Sequence, residues 1–99
     1  MGLLSSLFGM GGASKEAIQD KIKSGAVIID VRTPGEFNSG HAKGSKNIPL
    51  NQLSSKMNAL KGKEVIVVCK SGGRAMQAES MLKQAGIDAI NAGPWQAVS

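Results

Sequence analysis

The chain has 99 residues, 41% hydrophobic and 19% charged, proportions that suit one globular domain with a real core and argue against wholesale disorder. A single cysteine excludes an intramolecular disulfide, and with one histidine it supplies too few ligands for zinc. The formal net charge of +5 favours anionic partners, but aromatics are only 3%, tyrosine is absent and the lysines are scattered, so nucleic acid is not expected. A small anionic substrate fits the charge equally well.

The opening MGLLSSLFGMGG is apolar but well short of the ~20 residues of a membrane span. It also lacks the charged n-region and cleavage site of a secretory signal. Met1-Gly2 with Ser6 fits the loose myristoylation pattern, with nothing else in support. Residues 1–13 therefore read as a flexible or surface-packed leader, in which Leu3, Leu4, Leu7 and Phe8 offer a peripheral membrane or partner contact. The domain is expected over residues 14–99.

Ser14 is placed to cap a helix with Glu16 in its first turn, Ala17, Ile18 and Ile22 on its apolar face and Gly25 at its end. AVIIDV (26–31) is a continuous apolar run, the pattern of a strand covered on both faces. TPGEF turns the chain, with Pro34 opening a short helix, and residues 38–49 read as a loop. Leu50, Leu53, Met57 and Leu60 form the stripe of an amphipathic helix that Lys61-Gly62-Lys63 ends. EVIVVC (64–69) is a second buried strand. The next helix runs from Arg74 to Gln84, with Ala75, Ala78, Met81, Leu82 and Ala85 as its stripe and Gly86 after it. IDAI (87–90) predicts a short third strand, after which NAGPWQAV turns back. Strands alternating with helices predict an α/β domain with a mostly parallel central sheet flanked by helices. Ligands of such sheets bind at the carboxyl ends of the strands, where Asp30, Val31, Arg32 and Cys69 fall.

The only thiol thus sits where a buried strand meets a helix, in VIVVCKSGGRA (65–75). Gly72 and Gly73 let the backbone curl, so that its N–H groups converge on an anion nest at the positive end of the helix. The dipole, Lys70 and Arg74 then favour the thiolate of Cys69. An inert, buried cysteine is the plain alternative, and the glycines and Arg74 that follow argue against it. Spacing bears on the chemistry. Protein tyrosine phosphatases use Cys-x5-Arg, whereas here four residues separate Cys69 from Arg74. The tighter loop has room for one extra sulfur and crowds a phosphoryl group, which disfavours a phosphatase or arsenate reductase.

Over about residues 14–96 the chain resembles the single-domain rhodaneses, or thiosulfate sulfurtransferases. The resemblance rests on IIDVRTPGEFNSGHAKGSKNIPL (28–50), on VVCKSGGRA (67–75), similar to the active loop Cys-x-x-Gly-x-Arg, and on NAGPWQA near the end. It implies a rhodanese-like three-layer fold and a persulfide mechanism. Cys69 would take the sulfane sulfur of thiosulfate and pass it to cyanide, a small-molecule thiol or a protein acceptor, without cofactor or metal. Lys70, Ser71, Gly72, Gly73 and Arg74 would hold the substrate, their amides stabilising the persulfide while Lys70 and Arg74 attract the anion. Among positions matching the family, Arg32 and Glu36 are expected to form an ion pair bracing the first loop. Asp30 would orient backbone donors and His41 would serve as a hydrogen-bonded strut. A cytoplasmic monomer is expected. The rival from another class is a sulfur carrier that hands its persulfide to one protein partner. Two departures from the family's pattern stand out. FGMGGAS lacks the β-branched residues of an opening strand, and Gly93-Pro94 replaces a Gly-Gly before Trp95, so the edge strand and final helix are expected to be short or loosely held.

Overall fold

In the computed structural model, which describes residues 14–98, four strands build one sheet: β1 (Val27–Asp30), β2 (Lys46–Asn47), β3 (Glu64–Cys69) and β4 (Asp88–Pro94). Their spatial order is β2-β1-β3-β4 and every neighbouring pair is parallel. The readings of the leader and of an opening strand lie outside the described residues. Among the described residues four α-helices, α1 (Lys15–Lys23), α2 (Pro34–Asn38), α3 (Met57–Leu60) and α4 (Gly73–Gln84), and two 3-10 segments, Leu50–Lys56 and Trp95–Val98, connect and cover the strands.

The apolar runs are continuous because both faces of the sheet are covered. Alternate residues of β1 and β3, Ile29, Val65, Val67 and Cys69, pack with Leu53, Leu60, Ala75, Ala78 and Leu82 on one side. The others, Ile66 and Val68, pack with Ile18 of α1, Ala92 and Trp95 on the opposite side. Each fully buried Val, Leu or Ile contributes about 1.5–3 kcal/mol through the apolar surface it removes from water. In-register pairing of Asp30 with Val68, and of Cys69 with Pro94, brings the carboxyl ends of three strands to one edge.

α1 begins where Ser14 Oγ accepts a hydrogen bond from Ala17 N at 3.1 Å, and carries Glu16 in its first turn and Lys21 and Lys23 in its last. α2 starts with a full capping box, in which Thr33 Oγ1 accepts from Glu36 N and Glu36 Oε1 accepts from Thr33 N. Four expectations need correction. The loop expected over 38–49 contains β2, a two-residue edge strand held on β1. The helix expected from Leu50 is a 3-10 segment through Lys56 that becomes α-helical only over α3. Asn51, Ser54 and Ser55 in this stretch favour local backbone bonds over helix continuation, and Ser55 Oγ donates to Gln52 O at 2.8 Å. Ala85 is the exposed C-cap of α4 and not part of its buried stripe. The third strand does not stop at Ile90: β4 runs on to Pro94. The segment after it is a single 3-10 turn, anchored by Trp95 in the second core cluster.

Candidate active site

β3 delivers Cys69 to the sheet edge with 1% of its surface exposed. Lys70 and Ser71 stand in solvent, and the chain reverses at Gly72, whose φ of +110° and ψ of −16° lie in the left-handed region. A side chain there would cost about 1–2 kcal/mol, so the glycine is what the turn requires. That turn points Gly72 N at Cys69 Sγ over 2.9 Å, and Ala75 N reaches the same sulfur at 3.4 Å. The sulfur thus accepts from two amides at the start of α4, where N–H groups have no intrahelical partner and stabilise negative charge. The expected donors spanned Lys70 to Arg74; Ala75 lies one residue beyond. The buried sulfur also lies deeper than a thiol kept partly solvated for its substrate.

The two arginines take different partners from those expected. Arg32 does not pair with Glu36. Its Nε and Nη2 grip Asp30, at 2.9 and 3.1 Å from Nε to the two oxygens and 2.8 Å from Nη2 to Oδ2. Nη2 also donates to Gly40 O at 2.7 Å, and the guanidinium carbon lies 5.1 Å from the Trp95 ring centroid. Asp30 is 0% exposed and needs a counter-charge at once. Two residues on along extended chain, a side chain returns to the same face, which is where Arg32 stands. Asp30 does orient a backbone donor as expected: Oδ1 accepts from Arg32 N at 3.0 Å. Asn47 Nδ2 ties the same turn to β2, donating to Asp30 O and Arg32 O at 3.0 and 2.9 Å.

Glu36 is taken instead by Arg74, whose Nη1 and Nη2 reach the two carboxylate oxygens at 2.8 and 3.0 Å. This two-pronged contact locks α2 to the first turn of α4, so the loop carrying the thiol is braced from the β1 side. The Arg74 guanidinium, helped by the Thr33 amide, holds the Glu36 carboxyl down at about 2, and Glu36 in turn raises Arg74. The charge of Arg74, expected to draw in anions, is therefore largely matched by Glu36, while Lys70 stands exposed at the loop rim. His41 is a strut: its Nδ1 lies 2.7 Å from Phe37 O, which fixes that nitrogen as the donor, and its ring stacks on Phe37 at 3.7 Å.

One residue of the site escapes the sequence reading altogether. Asn91, 3% exposed, donates from Nδ2 to Gly72 O at 3.2 Å and accepts at Oδ1 from Gly93 N at 2.7 Å. Its only outward sign is an Asn-x-Gly triplet that reads as turn chemistry. Beside the loop lies a cleft of about 440 Å³ with Thr33, Arg74 and Gln77 on its polar side and Val31, Leu50 and Met81 on its apolar side. Among the described residues, no three His, Cys, Asp or Glu side chains group so as to hold a metal ion, and no helix is long and apolar enough to cross a membrane.

Comparison with known proteins places this geometry. Residues 14–93 match the Rhodanese-like domain family. Thiosulfate sulfurtransferase 16, chloroplastic, of Arabidopsis thaliana is 35% identical over 86 residues, covering 72% of this chain and 70% of the relative. The putative sulfur carrier protein YrkF of Bacillus subtilis (strain 168) is 35% identical over 85 residues, covering 82% of this chain and 46% of the relative. Among solved structures, a rhodanese with anions from E. coli superposes with a TM-score of 0.69 at 28% identity, covering 75% of this chain and 92% of the other. The chain spans between under half and about two thirds of the length of several curated relatives that it matches.

Proposed function

Because the chain belongs to the rhodanese-like domain family, we propose that it is a sulfurtransferase that moves a sulfane sulfur from thiosulfate, or from a persulfide donor, through a persulfide on Cys69. The observation that carries this reading is the Cys69 sulfur held by Gly72 N at 2.9 Å at the mouth of α4. In the first half-reaction the Cys69 thiolate attacks the outer sulfur of thiosulfate. A new S–S bond forms, the S–S bond of thiosulfate breaks, and sulfite departs with the electron pair. The terminal sulfur of the persulfide carries the negative charge, and the amides at the start of α4 stabilise it. In the second half-reaction a thiophilic acceptor, cyanide or a thiolate, attacks that terminal sulfur and Cys69 leaves as thiolate. No proton need be abstracted once the thiolate exists, so no general base is required. A cytoplasmic setting, which keeps an unpaired thiol reduced, suits this chemistry.

A second reading has its own support. Cys69 is almost fully buried, and both arginines near it are matched by carboxylates, so neither guanidinium is left free to gather thiosulfate. In that reading a protein donor loads Cys69 and a protein partner unloads it. Intact mass spectrometry separates the outcomes. Thiosulfate is expected to add one sulfur atom to wild-type protein, removable by cyanide or dithiothreitol, and none to Cys69→Ser. Loading from a protein persulfide but not from thiosulfate would favour the carrier. Equal gain in Cys69→Ser would refute both.

A further inference from the structure

Asn91 reaches the loop because β4 is irregular. Asn91 pairs with Val67 and Gly93 with Val68, so Ala92 has no partner and the strand bulges by one residue. Bulges re-aim side chains beside functional sites. Gly93, at φ +81°, takes the backbone conformation the bulge demands, and its amide closes on Asn91 Oδ1. With the oxygen of its amide so fixed, Asn91 has its nitrogen turned to Gly72 O, which already accepts the first helical bond of α4 from Met76 N at 2.8 Å.

The consequence lies on the other side of the same peptide plane. In a trans peptide the C=O and the following N–H point in opposite directions. Holding Gly72 O toward α4 and Asn91 therefore aims Gly73 N–H back toward the loop in front of Cys69. Gly72 has no side chain to fix this plane, and glycine is the residue most free to rotate it. We infer that Asn91 is a positioning residue for sulfur transfer: from β4 it clamps the Gly72–Gly73 peptide so that the loop amides stay directed at the Cys69 sulfur and at the sulfur it carries. It touches neither Cys69 nor substrate and acts through Gly72.

The inference rests on the sulfur-transfer reading, and its test keeps the two apart. Wild-type protein is first treated with thiosulfate and weighed. If it gains no sulfur, the transfer reading fails. The clamp is then still read from the iodoacetamide alkylation rate of Cys69, which needs no sulfur donor.

Two variants address the clamp. Asn91→Ser keeps a hydroxyl near Gly93 N but is too short to reach Gly72 O, and it adds no charge. It is expected to lower kcat for sulfur loading about 10- to 100-fold with KM for thiosulfate within about twofold, on a protein whose circular dichroism matches wild type. Asn91→Asp keeps the acceptor for Gly93 N and replaces the donor with an ionisable oxygen. Protonated, it donates to Gly72 O; ionised, it sets lone pairs against a carbonyl. Its rate relative to wild type is expected to approach one at the acid end and to fall as the carboxyl ionises. Taking the ratio removes the ionisation of Cys69 common to both proteins. Wild-type kcat in folded Asn91→Ser overturns the inference, as does an Asn91→Asp ratio that does not change with pH. If Asn91→Ser loses its circular dichroism, Asn91→Asp at the acid end decides: near-wild-type rate supports the clamp and a low rate on folded protein overturns it.

Discussion

Replacing Arg32 by Ala would leave Asp30 as a fully buried carboxylate with one remaining contact, the amide of residue 32. Three side-chain bonds from Arg32 would be lost from the carboxylate, and Gly40 O would lose its partner. Removing one member of a buried, hydrogen-bonded ion pair costs about 3–5 kcal/mol, because the other charge stays in a medium that cannot solvate it. Against a total stability of about 5–15 kcal/mol that is a large share. For a domain of this size each kcal/mol shifts the melting temperature by about 4–8 °C, so a fall of at least ~12 °C is expected. Trp95, the chain's single tryptophan, stacks over Arg32, and urea unfolding followed by its fluorescence reads the loss directly. Sulfur loading per folded molecule should stay near wild type, since Arg32 faces Asp30, Gly40 and Trp95. The double variant Asp30→Leu/Arg32→Met, which removes both charges, should regain most of the stability. A single-variant loss below about 1 kcal/mol would mean that Asp30 is solvated or protonated, and the reasoning would fail.

Glu36→Gln and Arg74→Ala should slow sulfur loading to a similar extent, and the double variant Glu36→Gln/Arg74→Ala should add little, because each single change releases the same brace; additive losses would show that Arg74 acts on substrate by itself. The Glu36 carboxyl lies near 2 in the folded protein against an ordinary 4.5, so its contribution to stability is complete above about pH 4.5 and disappears as pH falls toward 2. Thermal melts of wild type and Glu36→Gln should accordingly differ at neutral pH and converge near pH 2; a constant gap would contradict the pairing. Inserting one glycine after Ser71 should impair sulfur transfer by widening the turn that sets Gly72 N on Cys69, and unchanged transfer would remove loop length as the feature that selects sulfur over phosphorus.

The parts of the fold that could be read from sequence are those written in local pattern. β1, β3 and α4 appear as runs of buried β-branched residues or a helical stripe, and Ser14 and Gly25 mark the ends of α1. The turn from Cys69 into α4 was legible because paired glycines after a strand-ending cysteine mark a sharp reversal into a helix. What stayed hidden depends on pairing between distant segments. β2 has two residues and no pattern of its own; it exists because β1 offers an edge. The extension of β4 through Asn91-Ala92-Gly93 looks like a turn until β3 lies beside it and forces a bulge.

The exchange of arginine partners shows how burial, more than sequence proximity to a loop, assigns charges. Glu36 has a local duty as the third residue of a capping box, so its carboxylate faces Thr33 at the helix start. From there it meets the first turn of α4, and Arg74 lies at that turn. Arg32 has no such freedom, because Asp30, two residues before it, ends β1 with no surface exposed. A carboxylate at that depth demands two donors in a fixed geometry, which a guanidinium supplies and an ammonium does not. An Arg32→Lys variant should therefore be destabilised much as Arg32→Ala is, while Arg74→Lys, at a half-exposed pair, should lose little stability. Equal tolerance of lysine at both positions would mean that burial does not distinguish the two pairs.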